Sequence, residues 1–266
     1  MINISGIGKE NPNIEIVKQD NNFGFQILQY KQDLSVMPWD AVSKYFMAKM
    51  NCKQRMVLVR MTGQRTWTLS AGAMNWMGGN IQATTGIKGA GDLLGKMVKG
   101  KVTGESAIKP EYKGQGILVT EPTYRHLIPI YTSNWGGAVC INDGYYEMSS
   151  GAKLEVRMIR SMSGAALGGE GLFNLCAVGQ EGVVIIESPR PMEELITIDV
   201  QNDTFQIDGD MAICWSDGLQ LTVERVTKSL VGSAASGEGL VNTFRGTGRI
   251  LMAPFKETRF SPSIQI

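Results

Sequence analysis

The sequence is poor in the residues that most often build metal and redox sites. His126 is the only histidine among 266 residues, so sites made of several histidines are excluded. We expect it to be a hydrogen-bonded structural residue. The four cysteines, Cys52, Cys140, Cys176 and Cys214, lie far apart and form no CxxC pair. Because structural zinc sites and redox motifs use such close pairs, we expect reduced, buried thiols and no metal site.

An excess of positive charge and a long apolar run are also missing. The chain has 26 Lys plus Arg against 25 Asp plus Glu, and nucleic-acid binders usually show a basic excess, so we expect no nucleic-acid partner. No stretch approaches the ~18 consecutive apolar residues of a transmembrane helix. The N-terminus MINISGIGKENPN has no apolar core of signal-peptide length. We therefore expect a cytoplasmic protein without a transmembrane segment, for which peripheral membrane contact stays open.

Recognisable catalytic motifs are absent as well. The stretch 89–97, GAGDLLGKM, differs from a phosphate-binding loop because position 90 is Ala and because Met97 follows the lysine. The Ser-x-x-Lys element SAIK at 106–109 lacks the Lys-Thr-Gly that accompanies it in acyl-transfer enzymes. We therefore expect no enzymatic activity, no catalytic residues and no cofactor.

Glycine, in contrast, is abundant, with 32 residues against 9 prolines. It falls between short apolar runs rich in Val, Ile, Leu and Thr, such as MVLVRM at 56–61 and GVVIIES at 182–188. In LEVRM at 154–158, apolar and polar residues alternate as in a half-buried strand. This pattern predicts an all-β protein with many short strands.

The chain writes Gly-Glu-Gly-Leu-x-Asn twice, at 169–174 and 237–242. Each copy precedes an apolar strand, a glycine turn, a second apolar strand and a proline. The same order follows Glu105, where the motif is degraded to Gly-Glu-Ser, and the three glutamates are spaced by 65 and 68 residues. A period of this length is too long for a solenoid, so we predict three β units around a shared axis.

The motif residues have two interpretations. The glycines suit turns or bulges, and the glutamates either accept hydrogen bonds from backbone N–H groups in their own turns or converge near the axis, where an ion could sit. The candidate residues are Gly104, Glu105, Gly169, Glu170, Gly171, Gly237, Glu238 and Gly239.

Four segments, in their order and spacing, resemble the altered-inheritance-of-mitochondria protein 24 family over about 56–256. They are AGAM (71–74), GGEGLF (168–173), SGEGLV (236–241) and the ending FRGTGRILM. The resemblance implies three repeats, each similar to a subunit of the tryptophan RNA-binding attenuator protein (TRAP), in a β-sandwich body with pseudo-threefold symmetry. It also implies scaffolding rather than catalysis, since the eukaryotic members are tied to mitochondrial inner-membrane organisation. RNA and tryptophan binding are not carried over, because no ladder of Lys and Arg appears at strand spacing.

These observations predict a single domain, 1–266, in five parts. They are N-terminal strands with one short helix (1–55), repeats at about 56–122, 127–191 and 195–256, and a C-terminal tail (257–266).

Two segments are candidates for contact with partners. WDAVSKYFMAKM at 39–50 predicts a helix with Asp40 as its N-cap and an apolar stripe of Val42, Tyr45, Phe46 and Met50. This helix either plugs the sandwich or docks onto another subunit. The glycine- and lysine-rich stretch 86–104 suits a membrane surface, an acidic partner or simple solvation. Its lysines are Lys88, Lys96, Lys99 and Lys101.

Four tryptophans, Trp67, Trp76, Trp135 and Trp215, lie near the predicted repeat turns. They are either core residues or interface anchors, and Trp76 is kept as a candidate interaction residue. The function expected from the sequence is a non-enzymatic scaffold that acts by self-association or through a protein partner. The alternative is a small-molecule or ion-binding module that uses the pocket between the repeats.

Overall fold

Antiparallel strands make up most of the protein, which confirms the all-β prediction. The computed structural model describes residues 3–85, 109–161, 172–208, 211–225 and 240–255. The first sheet contains β1 (Ile14–Asp20), β2 (Phe25–Tyr30), β3 (Arg55–Thr62), β4 (Trp67–Leu69), β5 (Met74–Thr84), β6 (Glu111–Thr120), β7 (His126–Tyr131), β9 (Tyr146–Ser150) and β12 (Val183–Ser188). The second contains β8 (Ala138–Ile141), β10 (Lys153–Ser161), β11 (Leu172–Val178), β13 (Ile196–Asp208), β14 (Ala212–Ser216), β15 (Leu219–Arg225) and β16 (Leu240–Met252).

Both sheets are curled. The first runs in the order β1-β2-β3-β6-β4-β9-β12-β7, with β5 on the opposite edge of β6. The second runs β13-β16-β14-β8-β11-β10-β15. Since β15 also pairs with β16, the hydrogen-bonded path of the second sheet returns to β16 and closes into a ring.

Strand β12 contributes side chains to two of the four hydrophobic clusters formed by the described residues. Alternate side chains of a strand point to opposite faces. Val183 and Ile185 therefore pack with a cluster that contains Trp67, whereas Val184 and Ile186 pack with a cluster that contains Ile141. These four side chains are fully buried, which explains why the strand begins with a continuous apolar run rather than an alternating pattern.

Three antiparallel hairpins recur along the chain: β5–β6, β10–β11 and β15–β16. In each, a copy of the glutamate motif lies in the connection before the second strand, although the motif residues themselves lie outside the described ranges. The predicted repeats do not correspond to separate sheets, because 127–191 contributes β7, β9 and β12 to the first sheet and β8, β10 and β11 to the second. The pseudo-threefold arrangement stays a prediction.

The expectation of reduced, buried thiols is wrong for two of the four cysteines, and a third is not buried. Cys140 and Cys176 lie directly opposite each other on β8 and β11 and are joined as a disulfide. Cys214 is buried and Cys52 is exposed. The two bonded residues are 36 positions apart, so only the register of the strands reveals that they meet.

Glu147 is a buried carboxyl group in the first sheet. It occupies the residue of β9 that has no partner on β12, at a β-bulge, and its exposed fraction is 7%. Burial and the nearby charge of Glu187 raise its pKa to about 8, against the opposing hydrogen bond from Thr120. The folded chain therefore holds this carboxyl protonated near neutral pH.

We expect Glu147→Gln to remove a pH dependence of stability. On unfolding, Glu147 returns to its ordinary pKa and releases its proton, so the free energy of unfolding falls as pH rises from about 4.5 to 8. The variant lacks this loss. Near pH 8 its free energy of unfolding should therefore exceed that of wild type by a few kcal/mol, since each unit of pKa shift corresponds to about 1.4 kcal/mol. Urea unfolding at several pH values measures it. The exposed Glu121→Gln is the control, and parallel curves for Glu147→Gln and wild type would contradict the assignment.

Candidate interaction surface

A short helix follows β2, as predicted for 39–50. Helix α1 spans Ala41–Lys49 and continues a 3-10 turn at Pro38–Asp40. Pro38 suits this first turn because it needs no N–H donor there, and Asn51, with a φ of 61°, ends the helix. Asp40 occupies the N-cap position, but its side chain makes no capping hydrogen bond.

The apolar stripe of this helix faces outward. Val42, Tyr45, Phe46 and Met50 are all more than half exposed, and no residue of the helix is buried. The interpretation in which the helix plugs the sandwich is therefore wrong. The physical reason is that, among the described residues, strand side chains already fill the core clusters, so the helix lies on the surface of the body.

The exposed stripe belongs to a longer patch. Of the fourteen large apolar side chains that are exposed among the described residues, seven lie between positions 34 and 50. We call residues 34–50 the apolar segment. Its exposed members are Leu34, Met37, Trp39, Val42, Tyr45, Phe46 and Met50. Scattered exposed apolar residues are ordinary, but a contiguous patch marks a surface that another molecule covers.

Polar contacts hold the middle of the helix against the body. The Lys44 ammonium donates to the Tyr124 hydroxyl at 3.0 Å, and its nitrogen is 3.6 Å from a carboxylate oxygen of Asp33. These contacts raise the pKa of Lys44, with the Tyr124 hydrogen bond as the largest cause. The inward side of the helix combines Lys44 with the half-buried Met47 and Ala48, whereas the apolar stripe faces solvent.

Arg55 anchors the C-terminal end of the helix. This arginine is 3% exposed, and its guanidinium donates to the backbone oxygens of Asn51, Lys53 and Tyr124 at 3.1, 3.0 and 3.3 Å. It also donates to the side-chain oxygen of Asn51 at 2.8 Å. One buried side chain thus ties the helix end to β3 and to the segment that enters β7.

The edge strands offer less to a partner than the apolar segment. Strands β1 and β7 end the path of the first sheet, and β13 ends that of the second. β1 carries a bulge at Val17 beside the exposed Lys18, β7 contains Pro129, which has no N–H, and β13 has a bulge after Val200. Bulges, lysines and prolines at an edge hinder the addition of a further strand.

A groove of about 670 Å³ lies where the first sheet meets the start of β13 and the end of β16. Its apolar wall includes Ile128, Pro129 and Trp135. Its charged lining consists of three cations, Lys18, Arg55 and Arg249, and one carboxylate, Glu193.

His126 also lines this groove. Burial, and secondarily the charge of Arg55, lower its pKa to about 4. The imidazole is therefore neutral at pH 7.

The other residues singled out from the sequence fall into two groups. Trp67, Trp135 and Trp215 are buried, and Trp76 is partly buried against the cluster that contains Leu28 and Leu58. The motif residues lie outside the described ranges: Gly104, Glu105, Gly169, Glu170, Gly171, Gly237, Glu238 and Gly239. So do Lys88, Lys96, Lys99 and Lys101. Arg55 was not singled out from the sequence. Its acceptors on Asn51 and Lys53 are local, but its contact with the Tyr124 carbonyl, 69 residues away, and its burial depend on the fold.

The chain is similar to known proteins over most of its length. The family model for mitochondrial biogenesis AIM24 matches residues 48–255. An uncharacterised protein of Streptococcus pyogenes serotype M6 is 28% identical over 211 residues, which cover 74% of this chain and 80% of that protein. An X-ray crystal structure of a protein from Streptococcus pyogenes matches with a TM-score of 0.54 and 24% identity, covering 76% of this chain and 88% of that one. At this identity, the likeness shows the fold alone. In the described part of the chain, no helix is long and apolar enough to cross a membrane.

We expect Arg55→Met to loosen the helix and destabilise the protein. The substitution leaves buried carbonyl oxygens without their donor, at a cost of about 3 kcal/mol in the free energy of unfolding. Urea unfolding measures this cost, and hydrogen exchange should show faster exchange of the α1 amides than in wild type. Arg60→Met, on the exposed face of the same strand, is the matched control. Equal stability of the two variants would rule out the anchoring role.

Proposed function

The chain belongs to the mitochondrial biogenesis AIM24 family, and from this premise we propose that it is a non-enzymatic assembly protein that pairs with a second copy of itself through the apolar segment. The observation that carries the proposal is the concentration of exposed apolar side chains at 34–50, on a helix with no buried residue. The Arg55 and Lys44 contacts support it, since they hold this surface in a defined position. A positioned surface loses less conformational entropy on binding than a floating one.

The charge of the apolar segment favours a second copy as its occupant. Residues 34–50 carry one acidic residue, Asp40, and two basic residues, Lys44 and Lys49. The Asp33 carboxylate just before the segment lies 3.6 Å from the Lys44 ammonium, so the charges of this surface sum to zero. A neutral surface can face itself without repulsion. When the twofold axis of the pair is perpendicular to the helices, the two helices run antiparallel. Asp40 at the start of one helix then lies near Lys49 at the end of the other. An anionic membrane would gain little, because Asp33 balances the single excess positive charge of the segment.

The size of the apolar segment is also suitable. If each of the seven large side chains buries about 100 Å² of surface, each copy contributes about 700 Å². This is close to the ~800 Å² that each partner buries in a standard interface. Trp39, the most exposed of them at 77%, together with Tyr45 and Phe46, supplies the aromatic residues that usually dominate binding energy.

The proposal has two further parts. The body consists of three TRAP-like repeats, at about 56–122, 127–191 and 195–256, with pseudo-threefold symmetry. The three hairpins that follow the same order, each with its glutamate motif in the connection, support this arrangement. The second part is a cytoplasmic location, in which the exposed Cys52 would remain a free thiol.

We expect Phe46→Glu to abolish self-association. A carboxylate at the centre of the paired surface would be buried next to its symmetry copy, which is strongly unfavourable. Light scattering over a wide concentration range should give a mass near twice 29.0 kDa for wild type and near 29.0 kDa for the variant. Met192→Glu, which places the same charge on an exposed methionine elsewhere, should leave the dimer intact.

Two outcomes would contradict this proposal. A wild-type dimer that survives Phe46→Glu would place the interface elsewhere. A wild-type monomer at all concentrations would leave the segment to another occupant. Flotation of that monomer with anionic lipid vesicles, lost in Phe46→Glu, would then assign the segment to a membrane surface instead.

The groove beside β7 supports a second candidate function, the binding of a small anion with an apolar part. The observation that favours it is the apolar wall beside the exposed Lys18, since Arg249 is already paired with Asp199 and Arg55 with the oxygens at the helix end. An anionic head could pair with Lys18 while its apolar part lies against Trp135.

We expect such a ligand to raise the midpoint of thermal unfolding. At a concentration of 100 times its dissociation constant, it should stabilise the folded state by about 2.7 kcal/mol. A thermal-shift screen of small carboxylates and phosphate esters measures this, and Lys18→Gln should reduce the shift. Equal shifts in wild type and Lys18→Gln would place the ligand outside the groove, and no shift from either class would eliminate the candidate.

A further inference from the structure

A second cleft, of about 490 Å³, opens on the closed sheet beside the disulfide. Cys140 on β8 and Cys176 on β11 are cross-strand partners in register. Asp217, in the turn between β14 and β15, is their closest acidic neighbour, with its Oδ1 atom 3.9 Å from Cys140 Sγ. The three ligand atoms, two sulfurs and one carboxylate oxygen, all lie within 4.8 Å of one another.

Buried and hydrogen-bonded residues surround these three atoms. Cys140 and Cys176 are 5% and 0% exposed, and Asn174 beside them is 4% exposed. Arg157 donates a hydrogen bond to the Asp217 carboxylate from the neighbouring strand β10. The cleft therefore holds two sulfurs, one carboxylate and one guanidinium in a partly desolvated space.

We propose that Cys140, Cys176 and Asp217 form a redox-gated site that binds one thiophilic divalent cation of the Zn²⁺ type when the cysteine pair is reduced. A small dithiol reductant opens the site. It gives two electrons and two protons, becomes a disulfide itself, and leaves two thiols where the S–S bond was. The incoming cation then displaces both thiol protons and is held by two thiolates and the Asp217 carboxylate.

The charge balance of the site fits this assignment. A divalent cation with two thiolates and one carboxylate carries one net negative charge, and the Arg157 guanidinium neutralises it. Asp217 Oδ1 accepts from Arg157 and also lies 3.9 Å from Cys140 Sγ. Cation binding would therefore turn the carboxylate, so that one oxygen holds the cation and the other accepts from Arg157. Zn–S bonds of about 2.3 Å in a tetrahedral shell place ligand atoms nearly 4 Å apart. The Cys140 Sγ–Asp217 Oδ1 separation of 3.9 Å matches this spacing, whereas the two sulfurs must move apart once their bond is reduced.

The coordination shell would remain open on one side. The chain supplies three ligands, and the fourth position faces the cleft, where water or a partner group can reach it. The other two cysteines do not belong to the site, since they are distinct free thiols of opposite exposure. Burial raises the pKa of the Cys214 thiol and so disfavours its thiolate form.

The test uses Co²⁺ as a spectroscopic probe of the full chain with Cys52→Ser, which removes the exposed thiol. The protein is reduced with a dithiol, freed of it by desalting without oxygen, and titrated. We expect one Co²⁺ per chain, with thiolate-to-cobalt charge-transfer absorption and tetrahedral d–d bands, and displacement by Zn²⁺. The oxidised protein should bind no Co²⁺ at the same concentrations.

Matched variants locate the ligands. Cys176→Ser should lose about half of the charge-transfer intensity, and Cys140→Ser repeats the test if the first variant does not fold. Asp217→Asn should keep the charge-transfer band but weaken binding by at least about tenfold. Asp199→Asn, at another aspartate paired with an arginine, should leave the affinity unchanged.

Three results would overturn the site. They are reduced protein that takes up no Co²⁺, binding that persists when both Cys140 and Cys176 are serine, and equal affinity of the oxidised and reduced forms. The disulfide would then be a structural crosslink only. None of these results bears on self-association through the apolar segment, so the two proposals can fail separately.

Discussion

The structure depends on the burial of both faces of β12. Its first four side chains, at 183–186, pack alternately into two hydrophobic clusters, so this strand lies between the two clusters and contacts both. Each buried aliphatic side chain contributes about 1.5–3 kcal/mol, and a polar residue at any of these positions would face a core on either side. The curled first sheet and the closed second sheet follow from this arrangement, because each must wrap around the cluster on its own side.

The full cores explain why the N-terminal helix lies outside. Strand side chains already occupy the space between the sheets, and bulges or a proline hinder pairing at the edges of β1, β7 and β13. The chain instead holds the helix through Arg55 and Lys44, which are satisfied mainly by neutral oxygens and by one carboxylate. The result is a body that displays the apolar segment, the surface through which we propose that the protein self-associates.

The family match and the proposed surface cover different parts of the chain. The match begins at residue 48, so it includes β3 to β16 and excludes β1, β2 and most of the apolar segment. The disulfide cleft, in contrast, lies wholly inside the matched region. In our proposals, the family body carries the redox-gated cation site, whereas the N-terminal addition makes the interface.

The sequence by itself determined the elements and the family. Apolar runs between glycines predicted the strands, the 39–50 pattern predicted helix α1, and four ordered segments identified the family. These features are local, because alternation and turn residues act within a few positions of the chain. Only the tertiary structure decided the Cys140–Cys176 bond, the outward direction of the helix stripe and the burial of Glu147. Each of these depends on the register of the strands or on the packing of a core formed by residues distant in sequence. Neither can be predicted from the neighbouring residues alone.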